Sequence, residues 1–286
     1  MEAGLHVTMY SILKHSSRKD SGVKFHLFLE GFSEADKTVL RATLDKAQTA
    51  YDLHFHSVEL DVFKGFRSLQ GNYMTYARLL LADMLKDEGK FLYLDSDLVV
   101  SLDIHDLFHA DLQGYPVGAV VAGGTIDWAL ERSFFLQLGL DKNAAYFNAG
   151  VLLFNATCWR EENLTQECLD FCSRHPFELR AADQTVLNYI LQKRVANIND
   201  CYNVPCYATG KRISEDMASG QITHFVGSPK PWDLFGSVLH PSYRLFKSYF
   251  DETALRRRIR FQSGLLFRSI ALRRSYFRSI RSKFKS

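Results

Sequence analysis

Short apolar runs closed by polar turns alternate with stretches of helical spacing along most of the chain. Lys24 to Glu30 alternates and then runs apolar, which predicts a strand. Ser33 and Asp36 supply a capping hydroxyl and a first-turn acid, opening a helix that continues through Leu40 and Leu44. Tyr51 to Val58 alternates again, and Thr75 to Leu85 has helical spacing. Tyr115 to Ala122 and Phe147 to Asn155 read as buried strands, Thr157 to Ser173 as an amphipathic helix, and Ala182 to Asn188 as the opening of another. Strands and helices in alternation predict an α/β fold with a mixed, mostly parallel sheet. Ligands of such sheets bind beyond the carboxyl ends of strands.

Lys90 to Val100 carries the clearest chemical signal, a buried strand ending in Asp95-Ser96-Asp97. Strand period puts Asp95 and Asp97 on one side with Ser96 opposite. Two like charges at the mouth of a sheet repel unless a cation neutralises them. Mg²⁺ and Mn²⁺ take such oxygen ligands, commonly together with substrate phosphates. The bland alternative is a strand end followed by a polar turn.

Three more segments bear on that choice. Phe147-Asn148-Ala149-Gly150 places an amide and small residues before a strand, and Gly150, lacking a Cβ, permits close approach of backbone to a ligand. His224 to Trp232 combines a candidate metal ligand, His224, with Gly227 and with Lys230, whose charge suits a phosphate. Asp183-Gln184 opens a helix, where an acid also favours the positive helix end.

Thr75-Tyr76-Ala77-Arg78-Leu79, Leu92 to Asp97, Phe147 to Gly150, Asp183-Gln184 and His224-Phe225-x-Gly227-x-x-Lys230-Pro231-Trp232 together resemble the family 8 retaining glycosyltransferases. The likeness is to the bacterial lipooligosaccharide galactosyltransferases and lipopolysaccharide core glucosyl- and galactosyltransferases. It covers roughly residues 5 to 250 and implies a GT-A fold, Rossmann-like and built to bind a nucleotide sugar. It further implies Mn²⁺, with Mg²⁺ as the alternative, held by Asp95, Asp97 and His224 against the diphosphate of UDP-galactose or UDP-glucose. Lys230 and the Gly227 backbone would then contact phosphate, and Arg78 and Ser96 would lie on the donor side. Asn148, Ala149, Gly150, Asp183 and Gln184 would surround the transferred hexose, with Gln184 and Asp183 in the catalytic positions. Family members usually begin with a strand whose Asp and Tyr hold uracil and ribose, whereas Gly4 to Leu13 here resembles the helix after it. An acid often follows the next strand, and Val120 to Gly124 has none, with Asp127 as a weak substitute.

Composition fits this picture. Apolar content of 47% and charged content of 23% are ordinary for a soluble globular protein. No apolar run reaches the roughly 18 residues that would span a bilayer, and Met1 to Tyr10 lacks the pattern of a signal peptide. Cys158, Cys168, Cys172, Cys201 and Cys206 form no C-x-x-C pair, which predicts reduced structural thiols in a cytoplasmic protein. The net charge of +3 conceals an asymmetry, because Ala254 to Ser286 holds eleven Lys or Arg and no acid. Taking those eleven from +3 leaves −8 on the rest.

On a helical wheel Leu255, Ile259, Leu266, Ile270, Phe277, Ile280 and Phe284 share a stripe. Arg256, Arg257, Arg260, Arg268, Arg274 and Arg278 lie on another face, while Arg273 breaks the stripe and Gly264 the helix. This predicts an interfacial helix on an anionic membrane, with a solvated tail or phosphate binding to nucleic acid as competitors. The expected organisation is a glycosyltransferase domain over residues 1–250 and a membrane-associating tail over 251–286. The expected function is hexose transfer to a lipid-linked saccharide acceptor at the inner membrane, with no nucleic-acid partner. The alternatives are a protein-linked or soluble glycan acceptor, or a non-catalytic saccharide- or membrane-binding relic.

Overall fold

The computed structural model describes residues 3–69, 71–121, 123–255 and 272–283. Their strands form three hydrogen-bonded sheets. β1 (Val23–Phe28) pairs in parallel with β2 (Tyr51–His56). β3 (Lys90–Leu94) and β5 (Val117–Ala119) both run antiparallel to β6 (Val151–Asn155), and β7 (Val195–Asn197) lies parallel to β5. In the third sheet β4 (Leu98–Val100) is antiparallel to β9 (Ile222–His224), which is parallel to β8 (Val204–Pro205).

The α/β class is as expected, but parallel and antiparallel ladders are equal in number rather than mostly parallel. Alternation of strands and helices does not register reversals, since a strand that follows a helix can still return antiparallel, as β6 and β9 do. Among the described residues β1 pairs only with β2, and β3 only with β6.

Helix α1 (Ala3–His15) is buried from Gly4 to Leu13, polar residues included. The reason lies in β4, whose second edge has no strand beside it among the described residues. The Thr8 hydroxyl donates to Leu98 O (2.9 Å) and accepts from Leu98 N, and Ser11 Oγ accepts from Val100 N (3.0 Å). Two hydroxyls thus satisfy backbone groups that would otherwise be buried unpaired. Helix α2 (Glu34–Leu44) starts as predicted, with Ser33 and Asp36 in a reciprocal capping box.

Two predicted helices are interrupted. Thr75 to Leu85 becomes a 3₁₀ helix, Met74–Leu79, and a short α-helix, Leu81–Met84. Thr157 to Ser173 divides into Ala156–Glu161 and Leu164–Arg174 because Asn163 takes a left-handed conformation, φ +54°, which asparagine tolerates. The main core lies between β3, β6 and these helices and seals Phe91, Phe154, Trp159, Phe171, Cys168 and Cys172. Each large apolar side chain buried there contributes roughly 1.5–3 kcal/mol, which makes β3 and β6 a firm base for the loops at their ends. Cys168 and Cys172 are packing thiols, as predicted.

Of the predicted apolar stripe, Ile259, Leu266, Ile270 and Phe284 lie outside the described residues, as do Arg256, Arg257, Arg260, Arg268 and Gly264. Ala122, at the end of one predicted strand, lies outside them too. The helix Arg273–Lys283 packs through Leu272 and Tyr276 against Leu239, and leaves Phe277 and Ile280 exposed with Arg274 and Arg278.

Candidate active site

Asp95, Ser96 and Asp97 occupy a turn between β3 and β4 instead of the end of one strand, so period two does not align the carboxylates. Main-chain bonds align them instead. Asp95 N donates to Gly150 O (2.8 Å), and Phe225 N donates to Asp97 O (3.0 Å), pinning the turn to both neighbouring sheets. Ser96 lies within the turn, and its carbonyl packs against Gly4 of α1.

Each carboxylate has one oxygen held by the protein. Asp95 Oδ1 accepts from Arg78 Nη2 (2.9 Å) and from the Tyr93 hydroxyl (2.6 Å). Asp97 Oδ2 accepts from Lys230 Nζ, which also donates to Phe225 O. The remaining oxygens face His224. Its Nε2 is 3.8 Å from Asp95 Oδ2 and 3.1 Å from Asp97 Oδ1, yet Asp97 Oδ1 is buried without a hydrogen-bond partner. On the far side of the ring, Nδ1 lies 2.9 Å from Asn203 Oδ1. An amide oxygen there requires a proton on Nδ1, so in the neutral ring the Nε2 lone pair is directed at the aspartates.

Two carboxylate oxygens and an imidazole nitrogen therefore converge within 4.8 Å of one another. A buried carboxylate oxygen with no donor is costly, and a cation is the natural offset. This donor set fits a divalent ion of the Mn²⁺ or Mg²⁺ kind, and the Asn203–His224 bond is the outer support that metal-binding histidines commonly have. Gly150 makes the convergence possible: a Cβ there would sit 2.2 Å from His224 Cε1 and 2.9 Å from Asp95 Oδ2. Its smallness admits the imidazole, a different reason from the one read in the sequence. Burial opposes ionisation of Asp97, and the Lys230 ammonium on its Oδ2 works against burial, the net direction being below the usual carboxylate range.

Arg78 joins this cluster to a second one. Its guanidinium lies 4.3 Å from the Tyr93 ring centre, donates to Ala149 O and Asp95, and has Nε 2.7 Å from Asp183 Oδ2. That Nε–H points at Thr75 O (3.3 Å), so Asp183 Oδ2 has a charge contact without an aligned hydrogen bond. Burial pushes the Asp183 carboxyl up to about 6, with Arg78 opposing the shift and Asp95 adding to it.

Beside Asp183, Gln184 Oε1 accepts from Ala149 N (3.0 Å) and Asn148 Nδ2 (3.2 Å). Asn148 Oδ1 in turn accepts from Gly150 N and Asn203 Nδ2, both at 3.0 Å. Asn188 locks Phe147 in place through its N and O (both 2.8 Å).

The structure thus brings Arg78, Asp95, Asp97, Asn148, Ala149, Gly150, Asp183, Gln184, His224 and Lys230 into one connected network. Gly227 stands in the loop between His224 and Lys230 at φ +76°. Asp127 is not part of the network and pairs with Arg132 (2.7 Å) at the surface. Sequence reasoning missed Tyr93, Asn203, Tyr146 and Glu131. Tyr93 had a signal, standing two positions before Asp95 at the end of the strand. Asn203 had none, since it ends an isolated 3₁₀ turn, Asp200–Asn203.

A family model described as Glycosyl transferase family 8 matches residues 3–235. Glycosyltransferase GlyA of Streptococcus pneumoniae is 34% identical over 164 residues, 56% of this chain and 22% of that protein, so the chain spans about a fifth of that relative's length. Lipopolysaccharide 1,3-galactosyltransferase of Salmonella typhimurium is 27% identical over 252 residues, covering 85% of this chain and 73% of that one. The solved galactosyltransferase LgtC, in complex with donor and acceptor sugar analogues, superposes with a TM-score of 0.69 at 24% identity. That match covers 88% of this chain and 92% of that chain, and gives the fold as GT-A-like.

Proposed function

Because the chain belongs to glycosyl transferase family 8, we propose that it moves galactose or glucose from a UDP-sugar onto a saccharide acceptor with retention of configuration. The acceptor favoured here is the saccharide core of a lipopolysaccharide or lipooligosaccharide, in keeping with the Salmonella relative. One observation carries the reading: Asp95 Oδ2, Asp97 Oδ1 and His224 Nε2 converge within 4.8 Å of one another, and Asp97 Oδ1 is buried with no hydrogen-bond partner.

Those three residues would hold Mn²⁺, with Mg²⁺ as the alternative. When bound, the ion would supply positive charge against the diphosphate leaving group. Lys230 adds charge on the same side, because an ammonium with two acceptors, Asp97 and Phe225 O, keeps a third N–H for a phosphate oxygen. The Gly227 backbone lies in the same loop, and Ser96 and Arg78 flank the donor side. Asn148, Ala149, Gly150, Asp183 and Gln184 would surround the hexose. The Asp183 carboxylate accepts a sugar hydroxyl, and the Gln184 amide lies alongside the anomeric carbon as it becomes oxocarbenium-like.

Release of UDP from UDP-galactose or UDP-glucose, dependent on Mn²⁺ and abolished by EDTA, is the test. No release from either donor with either metal overturns the proposal. A second reading, a saccharide-binding protein without turnover, rests on the edges of β1 and β3 that pair with no further strand among the described residues, and the same assay separates the two.

We assign the transferase to residues 1–250 and membrane attachment to 251–286. No helix among the described residues is long and apolar enough to cross a membrane. Exposed Phe277 and Ile280 beside Arg274 and Arg278 suit an anionic lipid surface, which supports peripheral attachment on the cytoplasmic face of the inner membrane.

A further inference from the structure

Gln184 is the polar side chain of this site whose two ends differ only by which way the amide is turned. Two bonds to Oε1 fix that choice. Ala149 N is a main-chain donor and must face an oxygen, so Oε1 lies on the Ala149 side and Nε2 on the other. There Nε2 donates to the Tyr146 hydroxyl at 2.8 Å. That bond uses the phenol as an acceptor and leaves its own O–H to turn toward Glu131 Oε2, 3.5 Å away.

Glu131 is 1% exposed and does not move freely. Its other oxygen accepts from Ala181 N (2.7 Å) and Thr185 Oγ1 (2.6 Å), which belong to the same turn and helix as Gln184. Polarity therefore runs one way, from the Gln184 N–H through the Tyr146 O–H to the Glu131 carboxylate. Both Oε1 acceptor positions are filled, so the group Gln184 can still offer is its second N–H.

We propose that Tyr146, beside Glu131, is a positioning residue that anchors the Nε2 end of the Gln184 amide, whose Oε1 end is held by Ala149 N and Asn148, and so keeps the amide plane fixed beside the transferred hexose. The proposal rests on the family 8 reading above for its catalytic consequence, and on hydrogen-bond geometry alone for the amide orientation. Without the phenol oxygen, Nε2 loses that acceptor and the amide is held through Oε1 alone.

Two measurements test this in the full chain. Hydrolysis of UDP-galactose and UDP-glucose with Mn²⁺ is followed for native protein, Tyr146→Phe, Gln184→Ala and the double variant. Tyr146→Phe is expected to lower kcat about tenfold, the cost of roughly one well-placed hydrogen bond, with donor KM within twofold. In the Gln184→Ala background it should have no further effect. Equal losses in both backgrounds, or an unchanged kcat, overturn the proposal. The second measurement needs no turnover: ¹⁵N spectra should show the two Nε2 protons of Gln184 displaced from the positions of an exposed glutamine amide and slowly exchanging with solvent in native protein, and shifted toward those positions with faster exchange in Tyr146→Phe. An unaltered pair of signals in the variant refutes the orientation even if no donor is turned over, a result that would count separately against the family 8 reading.

Discussion

Asp97 Oδ1 and His224 Nε2 face each other across 3.1 Å with no hydrogen bond between them. Two lone pairs at that range repel, and a shared cation is what removes the repulsion. Saturating Mn²⁺ should therefore stabilise the native protein, by about 2.7 kcal/mol at a hundredfold excess over Kd. His224→Ala should lose that gain at the same concentration, because one of three ligands is gone. Chemical denaturation with and without Mn²⁺ measures it, and equal stabilisation of both proteins would falsify the site.

Asn203 holds the imidazole from behind. Replacing it with Ala should weaken Mn²⁺ binding about 10- to 100-fold, as outer-shell losses commonly do, while Asn203→Asp keeps an acceptor for Nδ1 and most of the affinity. Titration of Mn²⁺ by electron paramagnetic resonance gives both numbers. An Asp variant as weak as Ala would argue that Asn203 serves only Asn148.

Asp183 makes a pH-dependent contribution whose sign is set by its raised carboxyl. The folded state binds the proton more tightly than the unfolded chain, at about 6 against an ordinary value of about 3.9. Its contribution is thus fully present below about pH 3.9 and is lost as pH rises through 6, a difference of about 3 kcal/mol. Asp183→Asn removes this slope, so the variant should gain on the native protein between pH 4 and 7.5 in metal-free denaturation. A variant that falls behind as pH rises contradicts the assignment.

The basic tail is tested on vesicles. The full chain should pellet with anionic lipid, a chain ending at Asp251 should not, and raising salt should release the first. Each Lys or Arg at such a surface contributes roughly 1 kcal/mol, so the loss should be large. Equal pelleting of the two chains would remove the membrane from the account.

Much of the site was legible because its charged members stand in short segments of distinctive chemistry. Asp95, Asp97, His224 and Lys230 were found that way, and so were Asn148 and Gln184. What escaped was the set of partners that fix which atom each one presents. Tyr146, Glu131 and Asn203 act through hydrogen bonds to residues 15 to 55 positions away, and no periodicity marks such pairs. The fold shows the same division. Capping of α2 by Ser33 depends on four adjacent residues and was read correctly. The direction of β6 against β3 depends on how the chain returns across the sheet, which local pattern does not encode.

The Thr8 hydroxyl gives the N-terminal helix a reach its position would not suggest. It grips Leu98, the residue that comes directly after Asp97 and pairs with His224 across the ladder. A change as small as Thr8→Val would unfasten that strand edge and loosen two candidate metal ligands from a distance of ninety positions. Engineering of the first helix, by tagging, trimming or swapping, is therefore engineering of the candidate site.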